Sequence, residues 1–166
     1  MENNNKTVTI NFDKSHVAVA ITLILLCCIV GGYFVVYIIK PPGYNIIYIL
    51  DNQGQAVNYP RILVINQNNT FTTPLVVTNN MYTLQEYQVQ VKIVQNTFIF
   101  PVDAPPYKTY EFTLNDEQSW DGQIPITINE EGNYIVVFEL YAKNDENYSF
   151  TDNFCKLYIT VITDNA

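Results

Sequence analysis

The feature that most constrains this chain is an uncharged apolar run near its beginning, from Val17 to Ile39. A helix needs about 20 mostly apolar residues to cross the hydrocarbon core of a bilayer. It also satisfies every backbone N–H and C=O within itself, which lipid requires. The polar residues 14–16 precede the run, and the helix-breaking residues 40–43, Lys-Pro-Pro-Gly, follow it. The sequence therefore predicts a polar tail over residues 1–16, a single transmembrane helix over 17–39 and a linker over 40–43.

Two other interpretations explain the run less well. A signal peptide has an apolar core of about 7–15 residues followed by a small-residue cleavage site, whereas this run is longer and no such site follows. A buried core helix would need neighbouring helices, but no helical period appears after residue 40. Within the run, Gly31 and Gly32 form a small-residue patch on which another helix could pack, although glycine is also common in membrane helices.

Charge is distributed unevenly along the chain. Residues 1–16 carry two acidic and two basic side chains, so the net charge of −8 belongs to the remainder. Lys6 and Lys14 precede the helix and Lys40 follows it, a slight bias towards a cytoplasmic N-terminus. We therefore expect a single-pass protein of the cell membrane with its C-terminal domain outside. An acidic domain is unsuited to nucleic acid and to electrostatic docking on anionic lipid.

The remaining residues, 44–166, read as one β domain. The run from Gln85 to Gln95 alternates, with Tyr87, Val89, Val91 and Ile93 on one face. The other face carries Gln88, Gln90, Lys92 and Val94. Further strands are predicted over residues 44–50, 61–65, 70–78, 98–102, 109–114, 120–128, 134–141 and 155–162, with a polar loop over 143–153. Pro74 lies inside one of these runs, which indicates an edge strand or a bulge. About eight strands at this spacing predict an all-β, immunoglobulin-like antiparallel sandwich.

Several short motifs resemble a known family. They are Tyr48-Ile49-Leu50 with Gly54, Ala56 and Asn58-Tyr59-Pro60; Asn68-Asn69-Thr70 leading to Val76-Val77-Thr78-Asn79; and the segment from Leu114 to Trp120. Over residues 44 to about 162 the chain resembles the archaeal membrane-protein family "domain of unknown function 1616". The resemblance implies an outward-facing β-sandwich on an archaeal membrane protein and implies no activity. Many relatives carry several membrane helices before this domain, whereas this chain has one.

The residues that carry catalytic chemistry are scarce. The single histidine, His16, lies at the membrane edge, so the outer domain has no histidine base for a serine or cysteine nucleophile. No cluster has zinc or copper spacing, and no nucleotide-binding glycine motif is present. Cys155, alone in the outer domain, is expected to be a small core residue. We expect no enzyme, no cofactor, no metal and no small-molecule substrate.

Carboxylates form the remaining candidate sites. Asp116, Glu117 and Asp121 flank Trp120, a pattern that superficially matches a glycan site with a stacking ring. Tryptophan is usually buried in sandwich cores, so we predict that Trp120 is a core residue. The loop 144–147, Asn-Asp-Glu-Asn, together with Asp152 offers hard oxygen ligands for calcium, but its spacing matches no EF-hand and a solvated loop is the simpler interpretation.

Two N-x-S/T acceptors fall in predicted turns of the outer domain, Asn68 and Asn147, and are candidate N-glycosylation sites. A third, Asn5, is expected to face the cytoplasm. Together these features predict a membrane-anchored module for structural or protein-interaction roles at the cell envelope. The alternatives are an accessory subunit of a larger membrane complex and a glycan-binding or carboxylate-dependent glycan-processing module.

Overall fold

The computed structural model describes residues 14–38, 41–51, 53–95 and 99–164, and the chain divides into two units between Pro42 and Gly43. The first unit contains the α-helix α1 (Lys14–Tyr33), which continues as a π-helical turn over Phe34–Ile38. In the described part of the chain, α1 with its continuation is the one helix long and apolar enough to cross a membrane. This confirms the predicted apolar helix, and it adds residues 14–16 to its first turn.

In its described residues the second unit has eight strands, which correspond to eight of the nine strand ranges predicted from the sequence. They are β1 (Tyr44–Ile49), β2 (Ile62–Val64), β3 (Thr70–Asn80), β4 (Gln85–Val94), β5 (Lys108–Leu114), β6 (Ser119–Thr127), β7 (Gly132–Asn144) and β8 (Asn147–Ile162).

The strands form two sheets, which confirms the immunoglobulin-like fold class. The three-stranded sheet has the order β1-β3-β6, and the five-stranded sheet has the order β2-β8-β7-β4-β5. Neighbouring strands are antiparallel with one exception, because β2 runs parallel to the end of β8. The second and the last strand of the domain are therefore joined in one sheet.

The main core lies between the two sheets and follows the period-two pattern of the sequence. Tyr87, Val89 and Val91 of β4 are fully buried, as the alternation predicted. They belong to the same cluster as Leu75 and Val77 of β3, on the facing sheet. Burial of each such side chain contributes roughly 1.5–3 kcal/mol, so the inner faces of the sheets stabilise the domain.

Two local predictions were wrong. The expected polar loop over 143–153 is a hairpin, in which β7 and β8 are joined by the tight turn at Asp145 and Glu146. A register shift between Glu139 and Tyr141 then places a bulge at residues 151–153 of β8, opposite Leu140. The predicted strand over 98–102 is irregular where it is described, since residues 99–101 form bends and residue 102 has no regular structure; Phe98 lies outside the described residues.

Pro74 lies in a central strand, not in the edge strand or bulge that the sequence indicated. It is buried in β3, which pairs with both β1 and β6. Proline has no N–H to donate to Leu50 on the neighbouring chain segment. The Thr73 hydroxyl donates to the Leu50 carbonyl at 3.0 Å instead, while the Leu50 N–H donates to the Pro74 carbonyl at 2.9 Å. The neighbouring threonine thus replaces the missing backbone donor.

A second, smaller apolar cluster covers the outer face of the five-stranded sheet. Val102 and Ala104, from the connection between β4 and β5, pack there with Ile135, Val137 and other apolar residues. We call residues 99–107 the strap. Because of the strap, the polar-looking face of β4 is partly buried.

Candidate functional site

Trp120 lies on the inner face of β6 and is half-buried, at the side of the sandwich where β5 and β6 approach. Its ring stacks on Phe112 with a centroid distance of 4.3 Å and an interplanar angle of 8°, and Tyr110 packs against it at 5.8 Å. It belongs to the partly buried residues packed on the main core. Aromatic side chains of the domain therefore pack against the ring, as expected of a core residue at the edge of a sandwich.

The acidic residues near Trp120 do not converge on its ring. Asp121 is exposed, and as the next residue of β6 it points to the opposite face of the strand. Asp116 accepts a hydrogen bond from the Tyr82 N–H at 2.9 Å, which joins two turns at one end of the sandwich. Glu117 has a positive φ of 62° in the β5–β6 turn. The arrangement does not form a pair of carboxylates around a sugar-stacking ring.

The candidate calcium ligands are separated by the hairpin. Asp145 and Glu146 form its tip, whereas Asp152 lies in the bulge five residues beyond Asn147. A strand rises about 3.3 Å per residue, so Asp152 is roughly 17 Å along β8 from Asn147. No group of three or more His, Cys, Asp or Glu side chains suited to one metal ion occurs in the described residues.

Both candidate glycosylation sites of the domain are exposed, one in the turn after β2 and the other at the start of β8. Asn68 follows β2, and its side-chain oxygen accepts a hydrogen bond from the Val64 N–H at 2.6 Å. That bond uses the oxygen and leaves the amide nitrogen, the atom that glycosylation modifies, pointing away from it. Asn147 is the first residue of β8, directly after the hairpin turn. Asn5 lies outside the described residues.

Cys155 points inward from β8, as expected of a core residue. Its thiol lies 3.4 Å from the Ile47 carbonyl, at the free edge of β1. Burial raises the pKa of this thiol to about 11. Because the thiolate is the nucleophilic form, this raised pKa lowers the reactivity of Cys155 in the folded domain.

The ion pair of Lys92 and Glu139 is the feature that sequence reasoning missed most completely. The Lys92 ammonium lies 2.8 Å from a Glu139 carboxylate oxygen, and both side chains are almost completely buried under the strap. Lys92 also donates to the Val102 carbonyl at 2.7 Å, and the Val102 N–H donates to Glu139 at 2.5 Å. Tyr141 donates its phenol proton to Glu139 at 2.9 Å. These groups satisfy one another's hydrogen bonds and charges. The cluster therefore holds the strap in place and presents no free acid or base.

Burial, with the hydrogen bond to Glu139, raises the pKa of Tyr141 far above its ordinary value. The phenol is therefore neutral at any physiological pH and acts as a fixed donor. A shifted pKa can mark a catalytic site. Here, however, Tyr141, Glu139 and Lys92 are already bound to one another, and the strap covers them. The cluster is structural.

A groove beside β8 is the remaining candidate for recognition. It has a volume of about 350 Å³ and is lined by Tyr59, Pro60, Arg61, Lys156, Leu157 and Tyr158. A second cavity of about 480 Å³ adjoins it, sharing Arg61 and Tyr158. Tyr158 and Ile62 are 61% and 59% exposed, which is high for large apolar side chains on neighbouring strands. We call the groove of about 350 Å³ the β8 groove.

Two basic side chains, Arg61 and Lys156, line the β8 groove. The Lys156 ammonium lies 5.4 Å from the ring centroid of Tyr158 and 6.0 Å from that of Phe100, within range of a cation–π interaction. Arg61 precedes β2, and its carbonyl accepts the Thr160 N–H at 2.8 Å. The one arginine of the sequence was the available signal, but its proximity to Lys156 follows from the β2–β8 pairing.

Comparison with known proteins is informative at the level of fold. No family model matches the sequence, and no curated protein matches it. Among solved structures, the chain is similar to the CARDB domain of the PF1109 protein from Pyrococcus furiosus, whose crystal structure contains di-metal ions. The TM-score is 0.51 at 13% identity, over 75% of this chain and 98% of that one. The solution structure of the same domain gives a TM-score of 0.50 at 13% identity, over 74% and 98%. The domain that follows the apolar helix therefore has the immunoglobulin-like β-sandwich fold seen in a CARDB domain.

Proposed function

We propose that this chain is a single-pass membrane protein that presents its β-sandwich on the outer side of the membrane, where the domain binds another protein. The observation that carries the proposal is the pairing of two features: an apolar helix whose described residues are all exposed, and a domain with its own core. An apolar helix of this length needs lipid or protein around it. The family resemblance of the sequence implies the same arrangement.

A binding role fits the domain better than catalysis. Its carboxylates are dispersed, its cysteine is partly buried with a raised pKa, and its buried ion pair is saturated by its own neighbours. Immunoglobulin-like domains commonly act through loops and sheet edges. The CARDB crystal structure contains two metal ions, but the described residues here gather no comparable set of ligands.

Protease treatment of intact cells tests the topology. With a small epitope tag at each terminus, protease should remove the C-terminal tag and the domain, and should spare the N-terminal tag. Mass analysis of the untreated protein should show that the helix is retained. Protection of the domain would reverse the topology, and loss of the helix from the mature protein would show a cleaved signal peptide instead of an anchor.

A second function, as accessory subunit of a membrane complex, has one observation in its favour. One side of the helix carries a groove of about 500 Å³ lined by Leu26, Cys27, Val30, Gly31, Phe34 and Val35. Small residues allow close approach of a second helix. Extraction in mild detergent followed by size analysis separates the two proposals: a complex that dissociates on Gly31→Leu, but not on Ala18→Leu, would favour the subunit role.

A further inference from the structure

We propose that the β8 groove is the docking site for an extended acidic segment of a partner protein, which adds as a strand beside β8. This inference rests on the proposed function, because it names the kind of partner that the domain binds. It is carried by the open backbone edge of β8, by the two cations beside that edge, and by the protection of the free edge of β1 in the same domain.

β2 pairs with a short length of the β8 edge that faces away from β7. β2 pairs with Thr160, Val161 and Ile162 of β8. The Thr160 N–H and the Ile162 carbonyl face β2, with hydrogen bonds of 2.8 Å to Arg61 and 3.0 Å to Ile65. Backbone direction alternates along a strand, so Lys156 and Tyr158 present their N–H and C=O groups on the same edge.

These backbone groups lack a strand partner in the part of the chain that the structure describes. The pairing of β2 starts at Ile62, and in the described residues no backbone hydrogen bond joins residues 59–61 to Lys156 or Tyr158. Residues 59–61 therefore form one wall of the groove and β8 forms the other. An unpaired edge of this kind is a template for strand addition.

The charges at the edge select for an acidic partner. Among the described basic side chains of the domain, Lys92 and Lys143 are paired with carboxylates, and Lys108 donates to the Pro125 carbonyl. Arg61 and Lys156 have no carboxylate partner in the described residues, although the chain has a net charge of −8. Two uncompensated cations in an acidic protein favour anionic side chains by complementarity.

The geometry of a strand specifies where those side chains must lie. Lys156 and Tyr158 point to the outer face of the five-stranded sheet, since they pair with Val137 and Ile135 of β7. In an added strand, alternate side chains point to that same face. The partner segment therefore carries acidic residues at every second position, with the positions between them facing the edge of β1.

A second copy of this chain is a poor occupant. Edge-to-edge pairing of two β8 strands would bring the Lys156 side chains of both copies together on one face, and like charges across strands are destabilising. The free edge of β1 is also protected, because the Tyr59 hydroxyl donates to the Ile49 carbonyl at 2.7 Å and Cys155 contacts the Ile47 carbonyl. Of the β1 and β8 edges, that of β8 therefore combines open backbone groups with two cations.

The test measures binding of short labelled peptides to the purified full-length protein in detergent micelles by fluorescence anisotropy. The probe is a peptide in which glutamate alternates with valine, and the matched peptide has lysine in place of glutamate. The glutamate peptide should bind, with affinity that falls as salt is raised, and the lysine peptide should not. Equal binding of both peptides would overturn the charge argument.

Two sets of variants locate the site. Arg61→Glu and Lys156→Glu should each weaken binding roughly tenfold, as expected for reversing a charge at an interface. Lys108→Glu, which reverses a charge away from the groove, should change it little. Equal weakening by all three variants would indicate attraction by overall charge and would contradict a defined site.

N-methylated peptides test strand addition itself. Methylating the backbone amides that face β8 should abolish binding, whereas methylating the amides between them should be tolerated, because those point away from the edge. Equal effects of the two patterns, or preferential binding of a uronate oligosaccharide used as a third probe, would overturn strand addition. These measurements do not depend on membrane orientation, so their failure is distinguishable from failure of the proposed topology.

Discussion

Trp120 lies directly over Gly122, so closely that a Cβ atom added to Gly122 would come within 2.0 Å of the indole Cη2 atom. The two residues are two positions apart on β6 and therefore point to the same, inner face. The ring is fixed from another side by its stacking on Phe112. The ring of Trp120 therefore requires glycine at position 122, because it leaves no room for a Cβ atom there. Substitutions at the two positions should be energetically coupled.

The first prediction concerns this coupling. Trp120→Ala should lower the free energy of unfolding by about 3 kcal/mol, the low end of the range for a large core side chain, because the ring is half-buried. Gly122→Ala should cost about 1–3 kcal/mol, since the ring must move to make room. In the double variant the clash is absent, so the two costs should sum to more than the measured loss. Denaturation followed by circular dichroism measures all three variants.

Full additivity in that cycle would show that the ring does not rest on Gly122. Free quenching of the native indole by a polar quencher, with an unchanged melting midpoint for Trp120→Ala, would place the ring on the surface. The glycan-binding interpretation would then gain support, because an exposed ring beside Asp121 is what that interpretation requires.

The second prediction contrasts two ion pairs of nearly equal length. Lys92–Glu139 has a separation of 2.8 Å and is buried, whereas Lys143–Glu86 has a separation of 2.7 Å with both side chains substantially exposed. Lys92→Met leaves a buried carboxylate without its cation and should cost about 3–5 kcal/mol. Lys143→Met, the matched control, should cost less than about 1 kcal/mol, because solvent screens the exposed pair. Chemical denaturation of both variants gives the comparison.

Loss of Lys92 should also release the strap, because the ammonium holds the Val102 carbonyl. Hydrogen exchange at residues 99–107 should therefore accelerate in Lys92→Met and stay unchanged in Lys143→Met. Similar costs for the two variants would mean that water reaches Lys92 and Glu139 in solution.

The alternation of β4 shows what could be predicted from the sequence and where prediction ends. The sequence predicts Tyr87, Val89 and Val91 in the core because a strand has a period of two, which is a local property. The burial of Lys92 on the opposite face depends on Val102 and Glu139, which reach it through the folded strap and a neighbouring strand. No local pattern encodes such a contact, so the sequence predicts a solvated side chain for a lysine that faces away from the core.

The hairpin of β7 and β8 was missed for a related reason. Residues 143–153 are mostly polar, and polar composition usually indicates a loop. Tyr148 and Phe150 nevertheless alternate within this stretch and pair with Lys143 and Tyr141 on β7. Pairing with an established strand thus outweighs composition. Likewise, Arg61 and Lys156 are far apart in sequence, and the parallel pairing of β2 with β8 brings them to one groove.

The third prediction follows from the burial of Cys155. Burial raises the pKa of its thiol from 9.0 to about 11, and a shift of two units lowers the thiolate fraction at pH 8 roughly 100-fold. In a Cys27→Ser/Cys28→Ser background, the native protein should therefore react with a thiol reagent at least about 100 times more slowly than the unfolded protein. Rapid labelling without denaturant would show that β8 separates from the β1 edge.

The fourth prediction concerns the pH dependence of stability at Asp51. This buried carboxylate follows β1 and accepts hydrogen bonds from the N–H groups of Gln55 at 2.8 Å, Gln53 at 2.9 Å and Asn58 at 3.3 Å. These bonds, with that from Gln55 the largest, hold the pKa of Asp51 below its ordinary value of 3.8, against the opposing effect of burial. The carboxylate therefore fixes the connection between β1 and β2 in its ionised form.

The sign of the effect follows from linkage. A carboxyl group whose pKa is lower in the folded than in the unfolded state stabilises the fold above the unfolded pKa, and this contribution is lost as pH falls through the folded pKa. Melting midpoints measured from pH 7 down to about pH 3 should show Asp51→Asn less stable than the parent at neutral pH, with the difference shrinking in the acid range. Asp121→Asn, which removes an exposed carboxylate, controls for the change in net charge and should show a much smaller difference throughout. A difference for Asp51→Asn that stays constant down to pH 3 would mean that the amide merely fits the turn less well, and that the charge of Asp51 contributes nothing to holding it.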